Sequence, residues 1–104
     1  MISNQILQNT IDGVKGITKI DLSVVDADGN VLAETAGDSE DYCATVKIFA
    51  DSPADSQAIL GYQFFKVYDE SQLEYIVVAK GEAEDVYMIG KIVGFQIQNL
   101  SLIH

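Results

Sequence analysis

This 104-residue chain contains no arginine and only one cysteine, one histidine and one proline. Without Arg it lacks the rigid fork that clamps phosphate or carboxylate ligands bidentately. The lone Cys43 cannot form an internal disulfide, which fits a reducing cytoplasm. One His (His104) and one Cys cannot build a metal-spaced cluster or a Ser/His/Asp set, and no Gly-rich phosphate loop is present. No catalytic residue, metal ligand or cofactor is therefore assigned, and an enzyme is not expected. No stretch approaches the ~20 apolar residues of a membrane span. The N-terminal residues lack the basic and apolar regions of a signal peptide. Basic charge is scarce as well: six Lys face sixteen acidic residues, a net charge of −10 that argues against direct contact with nucleic acid or an anionic membrane. What is present is ordinary globular material. Hydrophobic residues make up 48% and charged residues 21%, enough for one modest core and a single domain over 1–104.

The most informative stretch is the last. From Glu82 to His104 the pattern is helical, with Val86, Ile89, Val93, Ile97 and Leu100 on one stripe. Met88, Ile92, Phe95 and Leu102 form the stripe beside it. Together they sweep roughly 220°, about twice what a surface helix needs to meet its own core. One stripe can pack on this domain; the other calls for a second surface. Upstream, residues 2–14 carry Ile2, Ile6, Leu7, Ile11 and Val14 at helical spacing, with Gly13 and Gly16 at the expected end. Period two then takes over at 18–25, where Ile20, Leu22 and Val24 face a core and Lys19, Asp21 and Ser23 face away. Asp26–Asn30 is a turn, and Val31–Thr35 closes a hairpin. Ser39 is placed to cap a helix bearing Tyr42, Thr45, Val46 and Phe49 on one face, stopped near Asp51 by Pro53. Ala58–Tyr68 reads as one long strand, and Leu73–Lys80 returns after a turn at Asp69–Gln72. The fold expected is α+β, an antiparallel sheet of four to five strands flanked by N- and C-terminal helices, in the order α-β-β-α-β-β-α.

Several local patterns invite chemistry. Asp26–Asn30 resembles a calcium loop, but Gly29 stands fourth, not sixth, and the twelfth position is Gly37, so a hairpin turn is expected. Cys43 has acidic neighbours in Glu40 and Asp41, which favour the protonated thiol; a passive, partly buried Cys is expected. Tyr62, Phe64 and Tyr75, with Tyr42 and Phe49 from the middle helix, are the candidate lining of a small-molecule pocket, or else simply a core. For a homodimer contact the candidates are Met88, Ile92, Phe95 and Leu102, joined by Ile6 and Leu7.

The phrases Asn4–Gly13, Asp51–Gln57, Gly61–Val67 and Glu84–Leu100 together resemble the N-terminal domain of the sugar diacid utilization (CdaR-like, PucR-like) bacterial transcription regulators. That resemblance implies a GAF/PAS-like or profilin-like fold. It also implies a non-catalytic sensor and dimerisation domain whose C-terminal helix leads to a DNA-binding region. The diacid-recognition domain of that family carries an Arg-Ile-Gly run and a His after its first hairpin. Here the corresponding stretch, Glu34–Tyr42, has no basic residue, so any effector is left unidentified. The alternative is a ligand-free dimerisation scaffold of the roadblock-like kind. A packed space around Tyr62 and Tyr75 would favour the scaffold, and a cavity of ~300 Å³ or more would favour the sensor.

Overall fold

The computed structural model describes residues 2–103, with side chains up to Leu100. Helix α1 runs from Asn4 to Thr18. The Ser3 Oγ accepts from the Ile6 amide at its start, and Lys19, at φ 65°, ends it by donating its amide to the Lys15 carbonyl. The helix therefore continues past both glycines expected to stop it. A helical Gly costs about 1 kcal/mol, less than is gained by fully burying Leu7 and Ile11 on the same element.

Because α1 and its cap occupy residues up to Lys19, the first strand starts later than the alternation suggested. Strands β1 (Leu22–Asp26) and β2 (Val31–Glu34) form the first hairpin. Its turn is organised by Asp26, whose Oδ1 accepts from the Asp28 and Asn30 amides at 2.9 Å each. A 3-10 turn at Ser39–Asp41 then leads into α2, Cys43–Asp51. The α-helix starts later than expected from a Ser39 cap, but it ends where Pro53 requires. Ser52 takes the extended backbone (φ −79°, ψ 158°) favoured before proline.

The long strand expected over Ala58–Tyr68 is in fact two, β3 (Ser56–Ile59) and β4 (Tyr62–Asp69). Leu60 (φ 54°) and Gly61 (φ 85°) form a two-residue turn, and Ile59 pairs with Tyr62 across it. Positive φ at both positions is the backbone of a type I′ hairpin turn. Strand β5 (Gln72–Lys80) and helix α3 (Glu84–Ile103) complete the chain.

The five strands form one antiparallel sheet in the order β2-β1-β5-β4-β3. Helix α1 lies over β1 and β2, and α3 lies over β4 and β5 on the same face. Helix α2 covers the other face. Both faces of β1 are thus covered, and Ser23, expected at the solvent side, is 4% exposed. One core gathers Leu7, Ile11, Val24, Val77, Val93 and Ile97; the other gathers Val25, Val46, Phe49, Phe64 and Ile76.

Helix α3 sits close to the sheet because of one residue. A Cβ at Gly90 would stand 2.2 Å from Phe65 Cε2, so only glycine lets the helix settle over that ring. Its start is anchored by Gln63, whose buried Nε2 donates to the Gly81 and Ala83 carbonyls at 3.1 and 3.2 Å.

Candidate functional site

The aromatic set splits in two. Tyr42, Phe49, Tyr62 and Phe64 meet between α2 and the sheet, with ring centroids 5.1 Å apart for Tyr42–Tyr62 and 5.8 Å for Phe49–Phe64. Tyr75 lies on the opposite face with Phe65, Val67 and Val77, where its hydroxyl accepts from the Ile2 amide at 3.2 Å. It cannot line a pocket with the other four. Among those four the rings fill the space. The hollow bounded by Ser23, Asp38, Tyr42, Tyr62 and Lys80 holds about 10 Å³, room for about one water.

The polar ends of these rings are also engaged. Tyr42 donates to Ser23 Oγ at 2.7 Å, and Tyr62 donates to Asp38 Oδ2 at 2.7 Å. Lys80 Nζ stands 3.2 Å from the same Asp38 oxygen. Burial pushes the Tyr42 hydroxyl up to about 12, with the Ser23 hydrogen bond opposing it. Burial, the Asp38 hydrogen bond and the nearby Asp38 and Asp41 carboxylates raise Tyr62 as well. Both phenols stay neutral at physiological pH and serve as structural donors.

The Asp26 carboxylate is committed to its own turn. Burial raises the Asp26 carboxyl, but hydrogen bonds from Asn30, Asp28 and Gly29 outweigh it and hold the group below its ordinary value. Among the described residues no group of three His, Cys, Asp or Glu could hold a metal ion. Cys43 is half-buried, with Sγ 3.7 Å from the Gly29 carbonyl oxygen. No helix among the described residues is long and apolar enough to cross a membrane.

The two stripes of α3 separate as their spacing predicts. Val86, Val93 and Ile97 are buried on the sheet, while Met88, Ile92 and Phe95 are 56%, 51% and 66% exposed. Of the residues expected to join them from α1, Ile6 is half-buried against the domain's own core. Leu7 is fully buried and has no surface to offer. The side chain of Leu102 lies outside the described residues. Sequence spacing did not single out Ile17, which is 85% exposed beside an open groove of about 520 Å³ between α1 and α3.

The edges of the sheet were not visible in the sequence. On β2 the N–H and C=O of Glu34 point away from β1, and the Gln8 side chain takes both. Its Nε2 donates to the Glu34 carbonyl at 2.8 Å, and its Oε1 accepts from the Glu34 amide at 3.1 Å. On β3 the amide of Lys66 donates to the Asp55 carbonyl. Antiparallel alternation from that bond turns the N–H and C=O of Ser56 and Ala58 away from β4. Helix α3 stops short of β3. Between helix and strand lie two adjoining hollows of about 210 and 200 Å³, both touching Ser56 and Phe65.

A five-stranded antiparallel sheet with two long terminal helices on one face and a short helix on the other is a small α+β fold similar to the roadblock fold. Among solved structures the chain is similar to Myxococcus xanthus MglB, at a TM-score of 0.56 over 96% of this chain and 92% of that one. At 11% identity the likeness is one of fold. No family model and no curated protein matches the chain.

Proposed function

We propose that this domain is a non-catalytic pairing module that joins a second copy of itself through the outer face of α3. The observation that carries the reading is the contrast between a filled aromatic core and an exposed apolar row of Met88, Ile92 and Phe95. Ligand pockets of drug-like size run to about 300 Å³ or more, far above the space among the rings. The reading therefore favours the ligand-free, roadblock-like scaffold over the effector sensor.

Charge supports a second copy as the partner. The whole chain carries −10, yet from Val86 to Ile103 the only charged residue is Lys91. Two copies can approach along this helix without bringing carboxylates together. A two-fold arrangement places the same row on both sides of the contact, and each large apolar side chain fully removed from water contributes about 1.5–3 kcal/mol. In a longer regulator of the sugar diacid type, the same pairing would bring two DNA-reading regions side by side.

Sedimentation equilibrium tests the reading. A dimer at micromolar concentration is expected, converted to a folded monomer by Ile92→Asp. A wild-type protein that stays monomeric at high micromolar concentration overturns it.

A further inference from the structure

Resting on the self-pairing reading above, we propose that the groove between α1 and α3 is the seat for the second copy, each copy laying its α3 row into the other's groove. The row by itself is too small. Three side chains at ~100 Å² each would remove ~300 Å² from water, whereas a stable interface takes about 800 Å² from each partner. The pairing face must therefore extend beyond the row, and helical spacing shows in which direction.

Met88, Ile92, Phe95 and Asn99 are spaced i, i+4, i+7, i+11, which is one face of α3. Asn99 also lines the groove, as does Gln96, four residues beyond Ile92. The row thus runs directly into the groove's α3 wall. Thr10, Gly13 and Ile17, at i, i+3 and i+7, form the α1 wall, and half-buried Val14 and Leu100 rest on the core beneath. A Cβ at Gly13 would meet nothing within 4 Å, so packing within the domain does not ask for glycine there, although glycine weakens a helix. The bare backbone lets another helix come close, and exposed Ile17 stands at the rim to cover it.

Shape and charge both select a second copy as the occupant. A closed two-fold contact needs a self-complementary patch. Here an apolar ridge and an open groove of about 520 Å³ lie side by side on one face. A two-fold axis between them lays each ridge over the other copy's groove. The groove's lining carries no charged residue. The charged residues of α1 are drawn to its other side, where Asp12 accepts from Gln8 Nε2 at 3.0 Å and Lys15 Nζ reaches Asp21 at 2.7 Å. On α3, Lys91 borders the hollow on the β3 side. Two chains of −10 each can therefore meet over neutral ground.

Sedimentation equilibrium of the whole chain tests the seat with three variants, each checked for fold by circular dichroism. Ile17→Asp is expected to weaken association about tenfold or more, as for a buried apolar contact of an interface. Gly13→Gln should weaken it likewise while leaving the monomer's stability to urea undiminished, because the new side chain enters open space and favours the helix. Ile48→Asp, exposed on α2 across the sheet, should pair as tightly as wild type. The seat is overturned, with self-pairing intact, if Ile92→Asp yields a monomer while folded Ile17→Asp or Gly13→Gln pairs as tightly as wild type. Seat and self-pairing row fall together if wild type is monomeric, or if Ile48→Asp gives a folded monomer while Ile92→Asp still pairs.

Discussion

The two edges of the sheet receive opposite treatment. At β2, helix α1 leans over the edge and the Gln8 carboxamide occupies the outward N–H and C=O of Glu34 as another strand would. At β3, Ser56 and Ala58 face outward with a hollow beside them, and the neighbouring helix stops one strand short. Unpaired edges invite association, and proteins usually blunt them. A chain that blunts one edge with a specific side chain and leaves the other open has assigned the two edges different work.

The largest expected effect comes from moving the wall of the hollows beside β3. Gly90→Leu would put a Cβ 2.2 Å from Phe65 Cε2, and that ring is only 4% exposed. Urea denaturation should show a loss of about 1–3 kcal/mol, because the overpacking falls against a buried ring. A loss below about 0.5 kcal/mol, within the range of surface substitutions, would mean that α3 can lift off β4 freely and that the hollows have no fixed width.

Gln8→Ala should make β2 resemble β3. Loss of two hydrogen bonds to the Glu34 backbone is expected to cost about 1–2 kcal/mol. It should also speed amide exchange at Glu34 and produce, as concentration rises, association beyond the pairing expected of wild type. If Glu34 exchange is unchanged in the variant, Gln8 is not what closes that edge.

At the open edge, Leu60→Asn should stabilise the domain by about 0.5–1 kcal/mol, since Asn accepts the left-handed backbone more readily. Thermal unfolding checks the sign: a lower melting temperature would place Leu60 in a contact within the domain. The smallest effect is one of pH. Asp21 Oδ1 accepts from Lys15 Nζ at 2.7 Å and from Thr35 Oγ1 at 2.9 Å, tying the end of β2 to α1. The Lys15 hydrogen bond, opposed by burial and assisted by Thr35, holds the Asp21 carboxyl below its ordinary value. The unfolded chain therefore takes up this proton first as pH falls. The associated stability is complete above about pH 5 and is lost progressively below pH 4, through the carboxylate range. For a partly exposed pair its size is about 0.5–1 kcal/mol. Denaturant titrations from pH 6 to pH 3 should show a shallower decline for Asp21→Asn than for wild type; equal slopes would remove Asp21 from the clamp.

The elements most legible in the sequence were those whose period is long and whose environment is one-sided. Helix α3 declared both stripes because twenty residues at 3.6 per turn leave little ambiguity. The turn at Leu60 was hidden because leucine does not mark turns, and the apolar alternation runs through it without a break. Ser23 was misplaced because a period-two pattern cannot tell that α2 will cover the second face of the sheet. Tyr75 was grouped with the wrong rings because the face a strand residue occupies depends on register. It pairs with Val67, whereas Phe64 pairs with Val78. Leu7 was offered as a surface residue although α1 turns it into the core. The hollows beside β3 had no local signal, since they depend on strand order and on how far α3 slides across the sheet.

Gln8 also sets how far strand pairing can go. A sheet with two sticky borders would go on recruiting copies, each arrival exposing a fresh border, and would end as a fibre. With one border sealed, only the other stays open to an added strand. One carboxamide on the first helix thus leaves the sheet a single free border, and its loss would leave two.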